Sequence, residues 1–396
     1  MIFIQHGPSW KPKTDEILKM NLAKGIIWDP REENIERIKD IKANNENYRN
    51  IIIMVDPKLY YAQFNTSIPK KLEQLKYYPN GTIIDRNYLR DTDKVKNNIS
   101  EIINFEKSLG VNYYVSPTLY IESFNERFVD KIYDIYDWFD EMTPNTQKFA
   151  TLLVHESAFD NSTYMNEFID DFSNYIGRYN GIYLIIDRDN SSNIRNSFSP
   201  NRLSNVMQFI YYMKRMQFKV IVGYCGIESI NYMAVGADVI GTGWFYSLRK
   251  FNRIEKGFEE SSRMGHPKKR YTSINLLSEL KIDEDIETIP QQYKEELQKI
   301  IFNNRPIDEK IINNSYDTIP TNTDFIQYFD TMNILSTRFE DITNIEDKIK
   351  YLEDIVNNAT KNIKIYNEKH TLGQLTSKHL EDYKNAINSF KNDNFI

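Results

Sequence analysis

The sequence predicts an α/β protein, a (β/α)8 barrel of the TIM type with an insertion after its third strand and a helical C-terminal appendage. Three observations predict it. Eight short apolar runs recur through the first 250 residues, each ending in a polar residue or glycine. The runs are continuous rather than alternating, as in strands of a parallel sheet that are buried on both faces. Between them lie segments whose apolar residues repeat with the helical period.

The runs are MIFIQHG (1–7), GIIWDP (25–30), NIIIMVDP (50–57), GVNYYVSP (110–117), FATLLVHE (149–156), GIYLIIDR (181–188), FKVIVGYC (218–225) and ADVIGTG (237–243). After the first, Thr14 is a candidate helix cap, Ile17, Leu18 and Leu22 share a face, and Gly25 closes the segment. After the fifth, Met165, Phe168, Ile169, Phe172 and Ile176 recur at helical spacing, with Gly177 as the stop. After the sixth, Val206, Phe209, Ile210 and Met213 repeat the pattern. A doubly wound open sheet would share the alternation, but eight units favour closure. The barrel is assigned to 1–272, with the insertion at about 58–100. The polar stretch 189–201 follows strand six, where barrels carry ligand loops. From 273 to 396 the chain reads as helical, with mixed-charge segments suited to packing on the barrel or on a protein partner.

Composition narrows the classes. Apolar residues are 40% of 396, enough for a sizeable core, and the net charge of −6 excludes a generally basic coat. No run reaches the length of a membrane span and no signal peptide is visible, so a soluble cytoplasmic protein is expected. The single cysteine, Cys225, excludes an internal disulfide and a cysteine-cluster zinc site.

In such barrels the active site lies at the C-terminal ends of the strands. Those ends carry Asp29, Asp56, His155 with Glu156, and Asp187. Buried carboxylates are costly without a partner, so a convergent set implies a metal, a cation or a substrate. Asp187 and Asp56 are the preferred acid/base pair, with Asp29, Glu156 and His155 in reserve. Asp29 and Asp56 each precede proline and also fit plain strand-ending turns. The five histidines form no zinc motif. Mg²⁺ on the carboxylates stays open, since hard oxygen ligands suit it.

The segment VIVGYCGIESINYMAVGADVIGTG (220–243) holds five of the chain's 14 glycines. It resembles the strand-seven/strand-eight segment of phosphate-binding barrels, where glycines expose backbone amides to an anion. That resemblance implies an anion site at Gly226, Ile227, Gly241, Thr242 and Gly243, with Arg249 beside it. Close packing of helix and strand is the other use such glycines have. Residues 244–272 add eight basic side chains against three acidic ones, which would suit an anionic small molecule or nucleic acid. The carboxylate-lined ends, Gly-Ala-Asp before strand eight and the following arginine look distantly like tRNA-guanine transglycosylase barrels. That resemblance implies base exchange at a ribosyl carbon, although that family's cysteine-rich zinc site is absent here.

Two function classes follow. One is an enzyme acting on a phosphate-bearing or nucleoside-like substrate, by glycosyl transfer or hydrolysis through paired carboxylates. The other is a non-catalytic barrel that binds nucleotide or nucleic acid within a larger complex. A flavin or sugar-phosphate barrel rests on the glycine segment alone. Carboxylates each tied to a buried arginine or lysine would count against catalysis.

Overall fold

The computed structural model describes the chain except residues 9–10, 34, 65–69, 80, 190–197, 254–267, 372 and 396. Eight strands form the wall: β1 (Ile2–Gln5), β2 (Gly25–Trp28), β3 (Ile52–Val55), β4 (Tyr114–Val115), β6 (Lys148–His155), β7 (Gly181–Asp187), β8 (Lys219–Gly223) and β9 (Val239–Thr242). The two-residue β5 (Tyr120–Ile121) prolongs the line of β4 along β6. All neighbours run parallel in the order β3-β2-β1-β9-β8-β7-β6-β4. A parallel bridge from Met54 to Tyr113, with Asn112 N–H donating to Ile53 O at 2.8 Å, brings β3 to the start of β4 and nearly closes the ring.

The expected eight runs are thus the eight wall strands. β7 is buried at all seven positions, which explains its unbroken apolar text. Some glycines in the wall are steric necessities. A Cβ on Gly181 would lie 1.9 Å from the Lys219 carbonyl oxygen, so only glycine fits where β7 starts beside β8.

The helices between strands follow local signals. Ser162–Phe172 is capped by Asn161, whose side chain accepts from Tyr164 N–H, and buries Met165, Phe168, Ile169 and Phe172. It stops earlier than its periodicity suggests: a 3₁₀ turn, Ser173–Tyr175, intervenes and Ile176 is exposed. Pro200 opens the helix Pro200–Arg215, which buries Val206, Phe209, Ile210 and Met213. The first helix, Lys11–Lys19, corrects one expectation. Thr14 lies inside it, buried, because Pro12 favours a start further upstream, and Gly25 opens β2 instead of closing the helix. The insertion after β3 holds a 3₁₀ turn (Leu59–Gln63) and the helices Lys70–Glu73, Arg86–Arg90 and Thr92–Leu109.

Beyond the barrel the chain first makes an antiparallel ribbon, β10 (Arg270–Ser273) with β11 (Ser278–Lys281). Helical reading from 273 missed it, although Ser278, Leu280 and Ile282 are buried at alternate positions. The helices Lys294–Ile301, Thr323–Asp341, Ile345–Lys369 and Lys378–Asn394 follow where their patterns place them. They share the barrel's core: Tyr328 donates to or accepts from Thr242 at 2.6 Å, and Tyr211 packs edge-on against Phe390. Among the described residues no helix is long and apolar enough to cross a membrane.

Candidate functional site

The C-terminal ends of the strands carry two clusters of opposite character. Under the β1–β3 side lies a sealed ion network. Lys58 Nζ sits 2.7 Å from Asp56 Oδ2 and 3.6 Å from Asp29 Oδ2, with all three side chains at most 1% exposed. The ammonium's other hydrogens go to the phenol oxygens of Tyr60, at 2.9 Å, and Tyr224. Tyr60 also donates to Asp56 at 2.8 Å. Asp56 Oδ1 accepts from the Lys58 amide at 3.1 Å, and that contact fixes Lys58 in the left-handed region at φ 61°. Burial alone would push the Lys58 ammonium down, but Asp29 and Asp56 outweigh it and hold it above the ordinary lysine value. Asp29 mirrors this. Burial would raise its carboxyl, and Lys58 and Arg31 bring it below the usual range.

Arg31 extends the network. Its amide donates to Asp29 Oδ1 at 2.9 Å and its guanidinium to the Tyr61 phenol at 2.8 Å. His6 accepts the Asp29 amide on Nδ1 at 3.4 Å and lies edge-on to Trp28. Burial pushes its imidazole down to about 4, so it is neutral at physiological pH. Asp29 and Asp56 are therefore the counter-charges of a buried lysine. The place where a divalent cation would balance them holds an ammonium.

The β6–β7 side is looser. Asp187 ends β7 and accepts from the Arg253 amide at 2.8 Å. Arg253 Nε stands 3.9 Å from Asp187 Oδ2, too far for a hydrogen bond. Burial raises the Asp187 carboxyl above the usual range, and the Arg253 amide and the Tyr120 phenol pull it only part of the way back. Arg253 is 28% exposed, lies 5.2 Å and 5.1 Å from the ring centroids of Phe64 and Tyr120, and leaves Nε without an acceptor among the described residues. Beside it, His155 Nε2 meets Asp189 Oδ1 at 3.1 Å, while Nδ1 meets Ser157 Oγ at 2.7 Å. Glu156 points the other way. It is held by Arg188 at 2.8 Å and Arg202 at 3.4 Å, and it accepts the Asp189 amide at 3.0 Å. Phe251 separates the two clusters, packing edge-on to Tyr60 and Tyr224 and bridging to Asp187 through its backbone.

The glycine segment is occupied by its own chain. The Gly226 amide donates to Glu228 Oε1 at 2.9 Å, and the helix that follows, Ser229–Ala234, is only six residues long. A Cβ on Gly241 would meet Ile27 and Gln5, and one on Gly243 would lie 2.3 Å from Leu248 Cβ. Thr242 Oγ1 donates to Cys225 O at 2.6 Å, and Ile227 is buried. Arg249 is buried against Glu279 at 3.1 Å, donates to the Gly243 and Trp244 carbonyls, and stacks 3.3 Å from the Tyr328 ring centroid. These are all contacts within the chain, of the kind close packing makes. Much of the following basic run is also paired, Lys268 with Asp283 and Glu284, and Lys269 with the Tyr316 and Ile319 carbonyls. Lys256, Arg263 and most of the polar stretch after β7 lie outside the described residues. Among the described residues no group of three or more His, Cys, Asp or Glu side chains is placed to hold a metal.

Parallel strands, right connectivity and strand-end polar clusters together define a (β/α)8 barrel. No family model matches the chain, and no curated protein matches it. Among solved structures, the chain is similar to a variant carboxyl transferase domain of Rhizobium etli pyruvate carboxylase solved with pyruvate. Identity is 9% and the TM-score 0.36, over 96% of this chain and 74% of that one.

Several of these residues escaped sequence reasoning. Lys58 and Arg31 each follow an Asp-Pro pair, Asp29-Pro30-Arg31 and Asp56-Pro57-Lys58, at equivalent strand ends. That repeated Asp-Pro-basic pattern was the available signal for self-neutralised carboxylates. Tyr120, Ser157 and Arg253 carry no comparable signal, since only the fold brings them together.

Proposed function

We propose that the chain is a barrel enzyme whose proton-transferring group is Asp187, acting on a phosphate-bearing or nucleoside-like substrate at the β6–β7 side of the mouth. The observation that supports this is a carboxyl with a raised proton affinity beside a loosely paired, partly exposed guanidinium, Arg253. A carboxyl whose proton affinity is raised by burial is suited to act as a general acid to a leaving group, and Arg253 is the cation beside it to meet an anionic substrate group. Asp56, Asp29 and Glu156 are less suited as the second carboxylate of a glycosyl reaction, because each already balances a buried cation. The chemistry this favours is acid-assisted cleavage or transfer at a glycosidic carbon, with Asp187 protonating the departing base or alcohol.

The test is turnover of a panel of ribonucleosides, nucleoside 5′-monophosphates and sugar phosphates by the full chain, read as released base or free sugar. Asp187→Asn is expected to lower kcat by about 10²–10⁴-fold, the usual contribution of a positioned acid. Arg253→Met is expected to raise KM for phosphate-bearing members more than for neutral ones. With Asp187 as the acid, kcat/KM falls as pH rises through its elevated titration point. Thermal stabilisation by panel members without turnover favours the non-catalytic binding reading. Turnover insensitive to Asp187→Asn overturns the assignment.

A further inference from the structure

We propose that Ser157, His155 and Asp189 form a nucleophilic relay able to take an acyl group from a small activated ester, a second activity that does not rest on Asp187 as a proton carrier. Ser157 Oγ lies 2.7 Å from His155 Nδ1, and His155 Nε2 lies 3.1 Å from Asp189 Oδ1. The tautomer follows from a third contact: the Ser157 backbone N–H points at the same Nδ1, at 3.3 Å. An N–H donor there requires a lone pair on Nδ1, which leaves the ring proton on Nε2, directed at Asp189. Ser157 Oγ–H therefore faces a base, and the base faces a carboxylate that stabilises its charged form.

The three residues come from the ends of two neighbouring strands. His155 ends β6 and Ser157 lies in the 3₁₀ turn Glu156–Asp160, whereas Asp189 follows β7. Asp189 is itself anchored, its amide donating to Glu156 at 3.0 Å and its carbonyl accepting from Lys250. Capping of the 3₁₀ turn needs only the backbone contact to Nδ1. It does not account for an aspartate arriving from another strand onto the opposite ring nitrogen. His155 is 20% exposed and Asp189 45%, so the relay opens at the rim. Ser157 is half-buried, which favours a short acyl group.

The step balances without a cofactor. Ser157 Oγ attacks the ester carbonyl carbon as its proton passes to Nδ1, and the imidazolium is held by Asp189. Collapse of the tetrahedral adduct breaks the bond to the leaving oxygen, which takes the proton from Nδ1. Water, deprotonated by the same nitrogen, then releases the acid and restores the serine.

The experiment is labelling of the full chain with an alkyl fluorophosphonate, followed by peptide mapping, alongside p-nitrophenyl acetate hydrolysis. An adduct on Ser157, with Asp189→Asn slowing labelling by about 10²–10⁴-fold, supports the relay. Ser157→Ala, checked for an unchanged circular dichroism spectrum, is expected to abolish the site's label and the burst of p-nitrophenol. No adduct at Ser157 on the folded parent, or labelling at equal rate in Asp189→Asn, overturns it. Base release from nucleosides reports separately on Asp187, so either assignment can fail alone.

Discussion

Replacing Lys58 by methionine tests the sealed network directly. Methionine keeps the stem's length and the Cβ, so the left-handed backbone at φ 61° carries the same steric cost before and after. What changes is charge. Asp56 loses an ammonium at 2.7 Å and Asp29 one at 3.6 Å, both at sites at most 1% exposed. Asp29 keeps Arg31 at 3.8 Å, but among the described residues Asp56 keeps the Tyr60 phenol and the backbone amide of residue 58. Removing one member of a buried ion pair typically costs about 3–5 kcal/mol, and we expect that range at pH 7. The deficit should depend on pH in a defined direction. An uncompensated buried carboxylate costs stability only while it is charged, so the penalty is present at neutral pH and fades as acid neutralises it. Urea unfolding followed by circular dichroism at pH 7 and pH 5 reads both quantities. The double variant with Asp56→Asn should recover much of the loss, since the orphaned charge is gone. A Lys58→Met protein within about 1 kcal/mol of the parent, with no pH dependence of the difference, would refute a network stabilised by this ammonium.

Two further predictions concern stability. His6 is held at about 4 by burial, so the unfolded chain binds its proton first and the native state loses stability as pH falls from about 6.5 to about 4. The full effect is at most about 3 kcal/mol, and His6→Asn should remove that slope from a urea-midpoint-against-pH plot; parallel plots would sink the assignment. Gly243→Ala should cost about 1–3 kcal/mol, because its Cβ meets Leu248 Cβ at 2.3 Å and the Gln5 carbonyl at 3.1 Å. Gly226→Ala should cost less, its nearest neighbour being the end of the Glu228 side chain, and a reversed order of melting temperatures would contradict the packing role.

The barrel was legible because its signal is repeated eight times and each repeat is governed by burial on both faces. β7 shows this best, with every position from Gly181 to Asp187 buried. The site was legible only as a set of positions. Asp29, Asp56, Glu156 and Asp187 do end strands at one face, yet whether a carboxylate is free depends on side chains distant in sequence. Arg188 lies 32 residues from Glu156, and Arg253 lies 66 from Asp187. The glycine segment left two uses open for a related reason. Glycine marks close approach, but sequence does not say whether a ligand or Leu248 does the approaching. The β10–β11 ribbon was lost because four-residue strands with mixed polarity look like helix edges.

The division of the mouth into two halves has a chemical consequence. On the β1–β3 side, Lys58 and Arg31 balance Asp29 and Asp56 so closely that a substrate would have to displace an internal partner to bind there. Such displacement is unfavourable in a buried site, because the released charge finds no water. On the β6–β7 side the charges are present but incompletely matched: burial raises the Asp187 carboxyl, Arg253 Nε finds no acceptor among the described residues, and Asp189 is nearly half exposed. A substrate that supplies an anion to Arg253 and a basic leaving group to Asp187 completes that set without breaking any close ion pair. The Tyr60–Phe251–Tyr224 contacts join the sealed half to the backbone that presents Asp187. Chemistry is expected where compensation is incomplete, which is why Asp187 rather than Asp56 is the carboxylate to mutate first.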